Sequence, residues 1–415
     1  MSANALATRL TGTHEPAVPI GLASLASAAF AGINLAPLGL QLLERAMADP
    51  QDGAALMDLS TILQLNGDRA GAMAAQAQAL RVQRLYRQPP ALVSRDGIRL
   101  LAFLAPGDFM ANTPLEFLLE GSDVTLDMHY VMPGLPLAHP IPDHDLAFVA
   151  VGESDENRPL LREVGELVRS WPRPVLNAPD RITLLSRNGA SALLKSAAGI
   201  AVPVSVRIGR DLFAQIGDGQ TRIDAVLEDG GFPIIARPAA SHAGDGLAKL
   251  DDGAAIAAYL RQRPEPEFYV APFIAYHGPD GLFRKYRIAL IDGRPLACHM
   301  AISEHWMIHY LNAGMRENAE RRAEEARFMF DFEGDFARRH ETALRALAER
   351  IGLDYFGIDC GETPDGKLLL FEVDGAMIVH AMDPPDLFPY KAPQMCKVRD
   401  AFRDMLRRKC RATSL

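Results

Sequence analysis

Residues 355–374 read YFGIDCGETPDGKLLLFEVD, two β-rich runs on either side of a turn signal. The turn signal is Thr-Pro-Asp-Gly at residues 363–366, in which proline presets φ and glycine tolerates a positive φ. Phenylalanine, isoleucine and valine, which pack well on a pleated surface, occur in the flanking runs. The stretch therefore predicts one antiparallel β-hairpin in the second half of the chain.

A two-residue turn would fix the register of this hairpin. Asp359 would lie opposite Leu370 and diagonal to Glu372. Because side chains alternate along a strand, Asp374 would share the face of Asp359 and Glu372. The other face would be free of charge: Phe356, Ile358, Cys360, Leu369, Phe371 and Val373. A bulge in the turn would change this parity.

Three carboxylates on one face of the hairpin predict a cation site. Carboxylates this close repel one another unless a cation lies among them, and ligands that offer only oxygen suit a hard ion such as magnesium. Magnesium in turn usually accompanies phosphate. The alternative is a solvated sheet face that carries acids and binds nothing.

The composition is that of a large globular protein. The 415 residues are enough for two or three domains, and 48% hydrophobic with 23% charged residues is ordinary. A net charge of −9 argues against a nucleic-acid partner. The four cysteines form neither metal-type pairs nor a disulfide-like framework, which predicts reduced thiols in a cytoplasmic protein.

The N-terminal residues 1–92 are predicted to be helical. Residues 17–43 carry no charge, which is the usual signature of a membrane span, but they are rich in small residues and interrupted by Pro37. We therefore predict a packed helix and no membrane contact.

Residues 54–65 and 68–86 follow, two helical patterns joined by Asn-Gly, with Asp68 placed to cap the second. This hairpin resembles a tetratricopeptide-type repeat. It must pack on another repeat or on the rest of the chain, or bind a protein partner, because one such hairpin cannot bury its own face.

Residues 93–176 predict a parallel, Rossmann-like α/β unit. The predicted strands cover residues 98–105, 123–131, 145–152 and 174–176, and the predicted helices cover 113–121 and 157–171. The loops PGDFMAN and GESDEN follow the first and third strands at their carboxyl ends, where open α/β sheets bind ligands. No GxGxxG motif is present, so these loops are predicted either to contact a substrate or simply to connect elements.

Residues 177–415 resemble the ATP-grasp superfamily of carboxylate-amine ligases, and the order of the motifs carries the resemblance. In chain order they are Asn-Ala-Pro at 177–179, Ile-Ala-Val-Pro at 200–203, GFPIIARPAASHAGDGL at 231–247, FYVAPFI at 268–274, FRKYRIALIDGRPLACHM at 283–300 and the acidic hairpin. The resemblance implies an α/β fold in which α+β ATP-grasp lids, the first over about residues 200–270, close on ATP against a C-terminal lobe over 271–415.

The resemblance also implies roles for individual residues at the nucleotide. Arg187 and Arg237 stand where two phosphate-binding lysines are usual, and arginine keeps the charge but offers a planar fork. Lys285 is assigned to the nucleotide as well. The loop with Ser241, Gly244 and Gly246 would cover the phosphates, and the backbone around Ala271 and Phe273 would meet adenine. Asp359, Glu372 and Asp374 would hold two Mg²⁺ ions.

The chain departs from the family pattern where the substrate should lie. Lys285 reverses the sign of an acidic residue, whereas Arg287 keeps the arginine that in relatives lies near the phosphoryl group or the acyl carboxylate. Tyr310 replaces a metal-facing asparagine, which leaves His309 and Asn312 as polar candidates. Arg287 and His309 are the predicted catalytic residues, although a histidine in such a run is often a hydrogen-bonded core residue.

The activity that the resemblance implies is ATP- and magnesium-dependent formation of an amide or peptide bond through an acyl phosphate. The carboxylate and amine would come from a small molecule, an amino acid or a peptide, and relatives are often homodimers. Two alternatives stay open. One is a phosphoryl transferase on the same fold, and the other is a scaffold with a degenerate ATP site whose helical N-terminus binds a protein.

Overall fold

The computed structural model describes residues 18–228, 230–239, 241, 244–310 and 313–412. The helices in these ranges are α1 Leu22–Phe30, α2 Ala36–Ala48, α3 Gly53–Leu65, α4 Arg69–Val82, α5 Leu115–Leu118, α6 Arg158–Val168, α7 Pro179–Ile182, α8 Arg187–Leu194, α9 Arg210–Gly217, α10 Gly253–Gln262, α11 Ala319–Phe330, α12 Phe336–Arg339, α13 Glu341–Ile351 and α14 Lys391–Ala412. The strands are β1 Leu85–Gln88, β2 Arg99–Leu104, β3 Thr125–Tyr130, β4 Leu146–Val149, β5 Val175–Leu176, β6 Ile200–Ala201, β7 Val206–Gly209, β8 Ile234–Pro238, β9 Ala248–Leu250, β10 Glu267–Pro272, β11 Phe283–Ile291, β12 Arg294–Ser303, β13 Tyr355–Glu362 and β14 Leu368–Asp374.

The predicted helical hairpin is present as α3 and α4. Asp68 caps α4, since its side chain accepts a hydrogen bond from the Gly71 N–H. Helix α4 ends at Val82, earlier than predicted, because the following residues form β1 on the edge of a sheet. No described helix is long and apolar enough to cross a membrane.

The structure shows that this hairpin packs on the rest of the chain, which is one of the arrangements predicted for it. Buried side chains of α1 to α4 belong to one continuous core with the sheets that follow. In addition, Gln76 exchanges two hydrogen bonds of 2.8 Å with the Gly107 backbone, and Gln64 accepts one of 3.1 Å from the Phe109 N–H. The helical region thus positions the loop that follows β2.

Strands β1 to β5 form the first sheet in the order β1-β3-β2-β4-β5. Strands β3, β2, β4 and β5 are parallel, and β1 is antiparallel to β3. The central strands β2 and β4 are buried almost throughout, as expected for a parallel sheet covered on both faces. All four predicted strands of this unit are present.

Strands β7 to β10 form a second, antiparallel sheet in the order β7-β10-β8-β9, which we call the lid sheet. Helices α9 and α10 cover it. The lid has a core of its own, distinct from the main core: Ile208, Phe213, Ile216, Leu227, Ile234, Ala236, Leu250, Ile256, Tyr259, Leu260, Phe268 and Val270.

The third sheet has the order β12-β11-β13-β14-β6 and contains the hairpin predicted from residues 355–374. Asp359 lies opposite Glu372, not opposite Leu370 as predicted, for two reasons: the turn leaves three residues between Thr363 and Lys367 instead of two, and the register shifts by one more residue after Asp359. Gly357 pairs with Asp374, so alternation keeps the three carboxylates on one face.

The same irregularity changes the predicted apolar face. Leu370 pairs with Cys360 and joins the core, whereas Leu369 pairs with Gly361 on the carboxylate face. Phe371 also lies on the carboxylate face, since a Cβ on Gly361 would lie 3.0 Å from its ring. The assignment of Leu369 and Phe371 to the core face was therefore wrong, because the irregularity makes pairing by simple alternation fail.

Two contacts connect the sheets around the hairpin. Asn177, at φ 55°, exchanges two hydrogen bonds of 2.9 Å with the Tyr355 backbone and so anchors the start of β13. The Thr113 hydroxyl donates to the Gly375 carbonyl at 2.8 Å, which ties the first sheet to the end of β14. Helix α14 packs between the same two sheets, where Phe402 contacts Phe148. All four cysteines are free thiols.

Candidate active site

A cleft of about 1180 Å³ lies between the lid sheet, the carboxylate face of the hairpin, the first sheet and the N-terminal helices. Twelve of the residues predicted for the site line this cleft: Arg187, Arg237, Ser241, Gly244, Ala271, Phe273, Lys285, Arg287, His309, Asp359, Glu372 and Asp374. Gly246 does not. At φ +66° it packs against Pro238, and its carbonyl accepts a hydrogen bond from Tyr259 instead. His242, Ala243 and Asn312 lie outside the described residues.

One end of the cleft is lined by aliphatic and aromatic side chains from the lid and from the third sheet. They are Val202, Ile235, Leu247, Ala271, Phe273, Tyr276, Leu369 and Phe371. The Phe273 N–H already donates to the Pro233 carbonyl at 3.0 Å, so it is not free to bind a ligand. Apolar walls of this kind suit a planar aromatic group.

Beyond the apolar end, two arginines face each other across the hairpin. Arg237 is buried on β8, and its Nε donates to the Ser241 hydroxyl at 3.2 Å. Burial, together with the nearby charge of Arg187, lowers the pKa of Arg237 to about 10. Arg187, the first residue of α8, donates to Glu372 at 2.7 Å. An anion between the two guanidinium groups would relieve their repulsion.

Asp359 is bound by two cations. Its Oδ1 accepts from Arg287 Nε at 2.8 Å, and its Oδ2 accepts from a second Arg287 nitrogen at 3.0 Å and from Lys285 Nζ at 2.9 Å. Burial alone would raise the pKa of Asp359, but the charges of Arg287 and Lys285 outweigh it and hold the pKa well below its usual range. Asp359 is therefore a permanently ionised, fully paired carboxylate.

Asp374 differs from Asp359, because its pKa is raised and not lowered. Burial and the charge of Glu372 raise the pKa of Asp374 to about 7, although its Oδ1 accepts a hydrogen bond from the Ala376 N–H. The two carboxylates repel each other, and a cation between them would remove that repulsion.

The donor set fits a magnesium ion only in part. Among the described residues, no three His, Cys, Asp or Glu side chains form a group that could hold a metal ion. Glu372 and Asp374 do fit, because Mg²⁺ is commonly bound by one or two carboxylates plus water and phosphate oxygens. Asp359 does not fit in this geometry, since both of its oxygens are already taken by Lys285 and Arg287.

The other end of the cleft is lined by the N-terminal helices and by both predicted ligand-facing loops. The helices contribute Leu22, Ala26, Phe30, Leu65, Arg69 and Met73, and the loops contribute residues 106–111 and 153–157. His380 lies between Phe30 and Phe117, with ring centroids 5.6 and 6.4 Å away. Burial lowers the pKa of His380 to about 4, so this aromatic group carries no charge at pH 7.

Sequence reasoning missed a buried polar network behind the cleft wall. Lys391 Nζ donates to Asp383 at 2.8 Å, lies 3.2 Å from Glu325 and contacts the Tyr310 hydroxyl. The Tyr390 hydroxyl donates to the buried Glu325 at 2.6 Å. The network fixes Tyr310 and Asp383 at the wall of the cleft, and it joins segments that no local sequence pattern connects.

Two histidines stand close to the paired carboxylate. His299, opposite Arg287 across β11 and β12, is half-buried, and its ring lies tilted against Tyr310 with the ring centroids 4.6 Å apart. Counting back from the turn at Asp292 would pair Arg287 with Cys298, and a register shift after Arg287 brings His299 there instead. Burial, followed by the charges of Lys285 and Arg287, lowers the pKa of His309.

No family model matches the sequence. The VanG D-Ala:D-Ser ligase from Enterococcus faecalis is similar in structure, with 16% identity, 75% of this chain and 100% of that chain covered, and a TM-score of 0.44. An ATP-grasp RimK domain protein from Sphaerobacter thermophilus is 18% identical over 74% of this chain and 99% of its own, at a TM-score of 0.40. The ATP-grasp ligase PsnB, solved with a precursor peptide and AMPPNP, is 16% identical over 76% and 99%, at 0.41. Two of these three structures are described as ATP-grasp proteins, and all three TM-scores lie below 0.5.

Proposed function

We propose that the protein is an ATP- and magnesium-dependent carboxylate-amine ligase that forms an amide or peptide bond. One observation carries this proposal: four basic side chains and two carboxylates that fit a metal ion line the same cleft, next to an apolar end. These six side chains are Arg187, Arg237, Lys285, Arg287, Glu372 and Asp374. A polyphosphate with its divalent ion and an attached base needs these three surroundings side by side.

In this proposal the base of ATP lies between the apolar walls of the lid and of the third sheet, and the phosphates lie between Arg187 and Arg237. Glu372 and Asp374 would hold magnesium, which would neutralise phosphate charge and polarise the terminal phosphoryl group. Arg187 exchanges its ion pair with Glu372 for a phosphate oxygen. The side chains of this pair are 26% and 39% exposed, so little free energy opposes the exchange.

The reaction has two steps. A carboxylate oxygen of the first substrate attacks the γ-phosphorus, the bond to the bridging oxygen breaks, and ADP forms together with an acyl phosphate. The amine of the second substrate attacks the acyl carbon, inorganic phosphate leaves, and the new amide nitrogen loses a proton. The protein contributes mainly by positioning the reactants and stabilising charge.

Arg287 and His309 have separate roles in this scheme. Arg287 donates to Asp359 twice and to the Ile378 carbonyl at 3.0 Å, which leaves two of the five guanidinium N–H groups for a substrate or phosphoryl oxygen. His309 is the candidate acceptor of the amine proton, because burial and the neighbouring cations keep its imidazole neutral at pH 7.

The substrate end supports an amino acid or a peptide with an apolar side chain. Helix α1 turns Leu22, Ala26 and Phe30, spaced four residues apart, toward the cleft. Met73 from α4 lies in the same wall, and methionine adapts to apolar groups of different shapes.

Incubation with ATP, magnesium and pools of amino acids and dipeptides tests the function. We expect ADP, phosphate and a new mass equal to the two substrates less one water. A phosphorylated substrate that accumulates without any amine would show a phosphoryl transferase instead. No binding of AMPPNP with magnesium, measured by calorimetry, would contradict an ATP-dependent reaction of either kind.

A further inference from the structure

Asp359 and Glu372 are direct cross-strand partners on the hairpin, yet they are bound in different ways. The Asp359 side chain is 4% exposed and paired to two cations, Lys285 and Arg287, whose side chains are 16% and 22% exposed. Glu372 is 39% exposed and paired to Arg187 alone. Losing a partner is costly for the buried Asp359, whereas opening the Glu372 pair returns two partly exposed groups to solvent.

We propose that the nucleotide complex holds a single divalent ion, bound by Glu372 and Asp374, and that the ammonium group of Lys285 permanently neutralises Asp359 in place of a second ion. This inference rests on the proposed function. It revises the two ions and three carboxylate ligands that the sequence implied, and it makes Lys285 a positioning residue that sets the metal count.

The geometry supports each part of the proposal. Lys285 lies two residues before Arg287 on β11, so both side chains leave the same face of the strand. The ladder pairs Arg287 with Asp359, which places both cations over one carboxylate. Both oxygens of Asp359 have a cationic donor, so Lys285 and Arg287 would repel a divalent ion that bound there unless one of them moved away.

Counting bound ions tests the proposal directly. Mn²⁺ would be titrated into the protein with saturating AMPPNP, and free Mn²⁺ would be followed by electron paramagnetic resonance. We expect one Mn²⁺ for each protein and nucleotide complex. Two ions in the unaltered protein would overturn the inference while leaving the proposed function intact, whereas no binding of AMPPNP at all would overturn both.

Two variants at Lys285 separate the loss of its positive charge from the gain of a carboxylate ligand. Lys285→Glu removes the cation and adds a carboxylate, so we expect the count to rise from one Mn²⁺ to two. Lys285→Met removes the cation alone and frees part of Asp359 Oδ2, so the count should also rise to two, with the second ion bound more weakly than in Lys285→Glu. A count of one in Lys285→Glu, in a variant whose circular dichroism matches that of the parent, would contradict the role of Lys285.

A third comparison tests whether Asp359 is a ligand. Asp359→Asn alone would leave two cations without their anion, so it is combined with Lys285→Met. We expect this double variant to change the Kd of Mn²⁺ less than about threefold, and Glu372→Gln to raise it more than about tenfold, because only Glu372 would coordinate the ion. Equal losses in the two would show that Asp359 is a ligand.

Discussion

The two ends of the cleft are built in different ways. The basic end is made of strands of the lid and of the third sheet together with the first residue of α8, and ion pairs hold Arg187, Lys285 and Arg287. The substrate end is made of helices, loops and a neutral histidine from distant parts of the chain; its helices contribute mainly apolar side chains, and its loop at 153–157 contributes polar and acidic ones. Changes at the basic end should therefore affect chemistry, and changes at the other end should affect the choice of substrate.

The largest effect is expected at the basic end. Glu372→Gln removes the charge of a carboxylate that lines the cleft and that we propose holds the ion. We expect turnover to fall by about 1000-fold, about 4 kcal/mol in the activation free energy. Thermal unfolding should stay nearly unchanged, because this side chain is partly exposed.

Glu333→Gln is the matched control, since Glu333 is an exposed carboxylate with a single arginine partner, Arg294. It should keep full activity. Full activity in Glu372→Gln would mean that the carboxylate pair has no part in the reaction.

The next effect concerns the support of the substrate end and depends on pH. Asp58 accepts hydrogen bonds from the Ile20 and Gly21 N–H groups at 2.7 and 3.0 Å, just before α1. Burial raises its pKa to about 7. The folded protein therefore keeps a proton that the unfolded chain loses near pH 4, and this part of the stability is lost as pH rises toward 7.

Between pH 5 and pH 8 the unfolding free energy should fall by about 3 kcal/mol more in the unaltered protein than in Asp58→Asn, which cannot ionise. Urea unfolding at several pH values measures this difference. Parallel pH profiles in the two proteins would show that Asp58 does not titrate on unfolding.

A smaller effect is expected from Arg237 at the basic end. Arg237→Ala removes one of the two guanidinium groups that we propose bind the phosphates. The Kd of AMPPNP should therefore rise about 30-fold, or about 2 kcal/mol. The stability without nucleotide should not fall in proportion, because the remaining Arg187 loses a like-charged neighbour. The Kd of AMPPNP in Arg237→Lys, measured by calorimetry, should lie between those of the unaltered protein and of Arg237→Ala. A tighter Kd in Arg237→Ala would contradict a role in phosphate binding.

The smallest effect is expected from the apolar wall. Phe30 is 40% exposed in the cleft, so Phe30→Ala should raise the KM for an apolar amino acid or dipeptide about fivefold, about 1 kcal/mol, and leave the KM for ATP unchanged. Leu40→Ala is the control, because Leu40 is 63% exposed in the same helical region and does not line the cleft. Equal KM values for the apolar substrate in both variants would show that α1 takes no part in substrate binding.

Local patterns predicted much of this molecule. The hairpin at 355–374, the α3 and α4 pair and the four parallel strands of the first sheet follow from periodicity and turn residues, which act over a few neighbours. The shared face of the three carboxylates was predicted correctly although the register was not, because an offset of two residues keeps the parity of the pairing. Register was harder, because the shift near Phe371 depends on how this residue packs against Tyr276 and Gly361.

The charge state of the site could not be predicted from local patterns. Lys285 and Asp359 are 74 residues apart, and they meet because β11 pairs with β13. The N-terminal wall is more distant still, since α1 reaches the cleft through contacts with the first sheet. Such contacts depend on tertiary packing, and a single sequence carries no direct signal for them.

The separate core of the lid sheet has a thermodynamic consequence. Because its buried side chains form a cluster apart from the main one, we expect the lid to unfold as a cooperative unit of its own. Heating should melt the smaller unit first, so no single midpoint describes the protein. A nucleotide held between the lid and the hairpin would bind only when both are folded, and it would draw the lower transition toward the upper one.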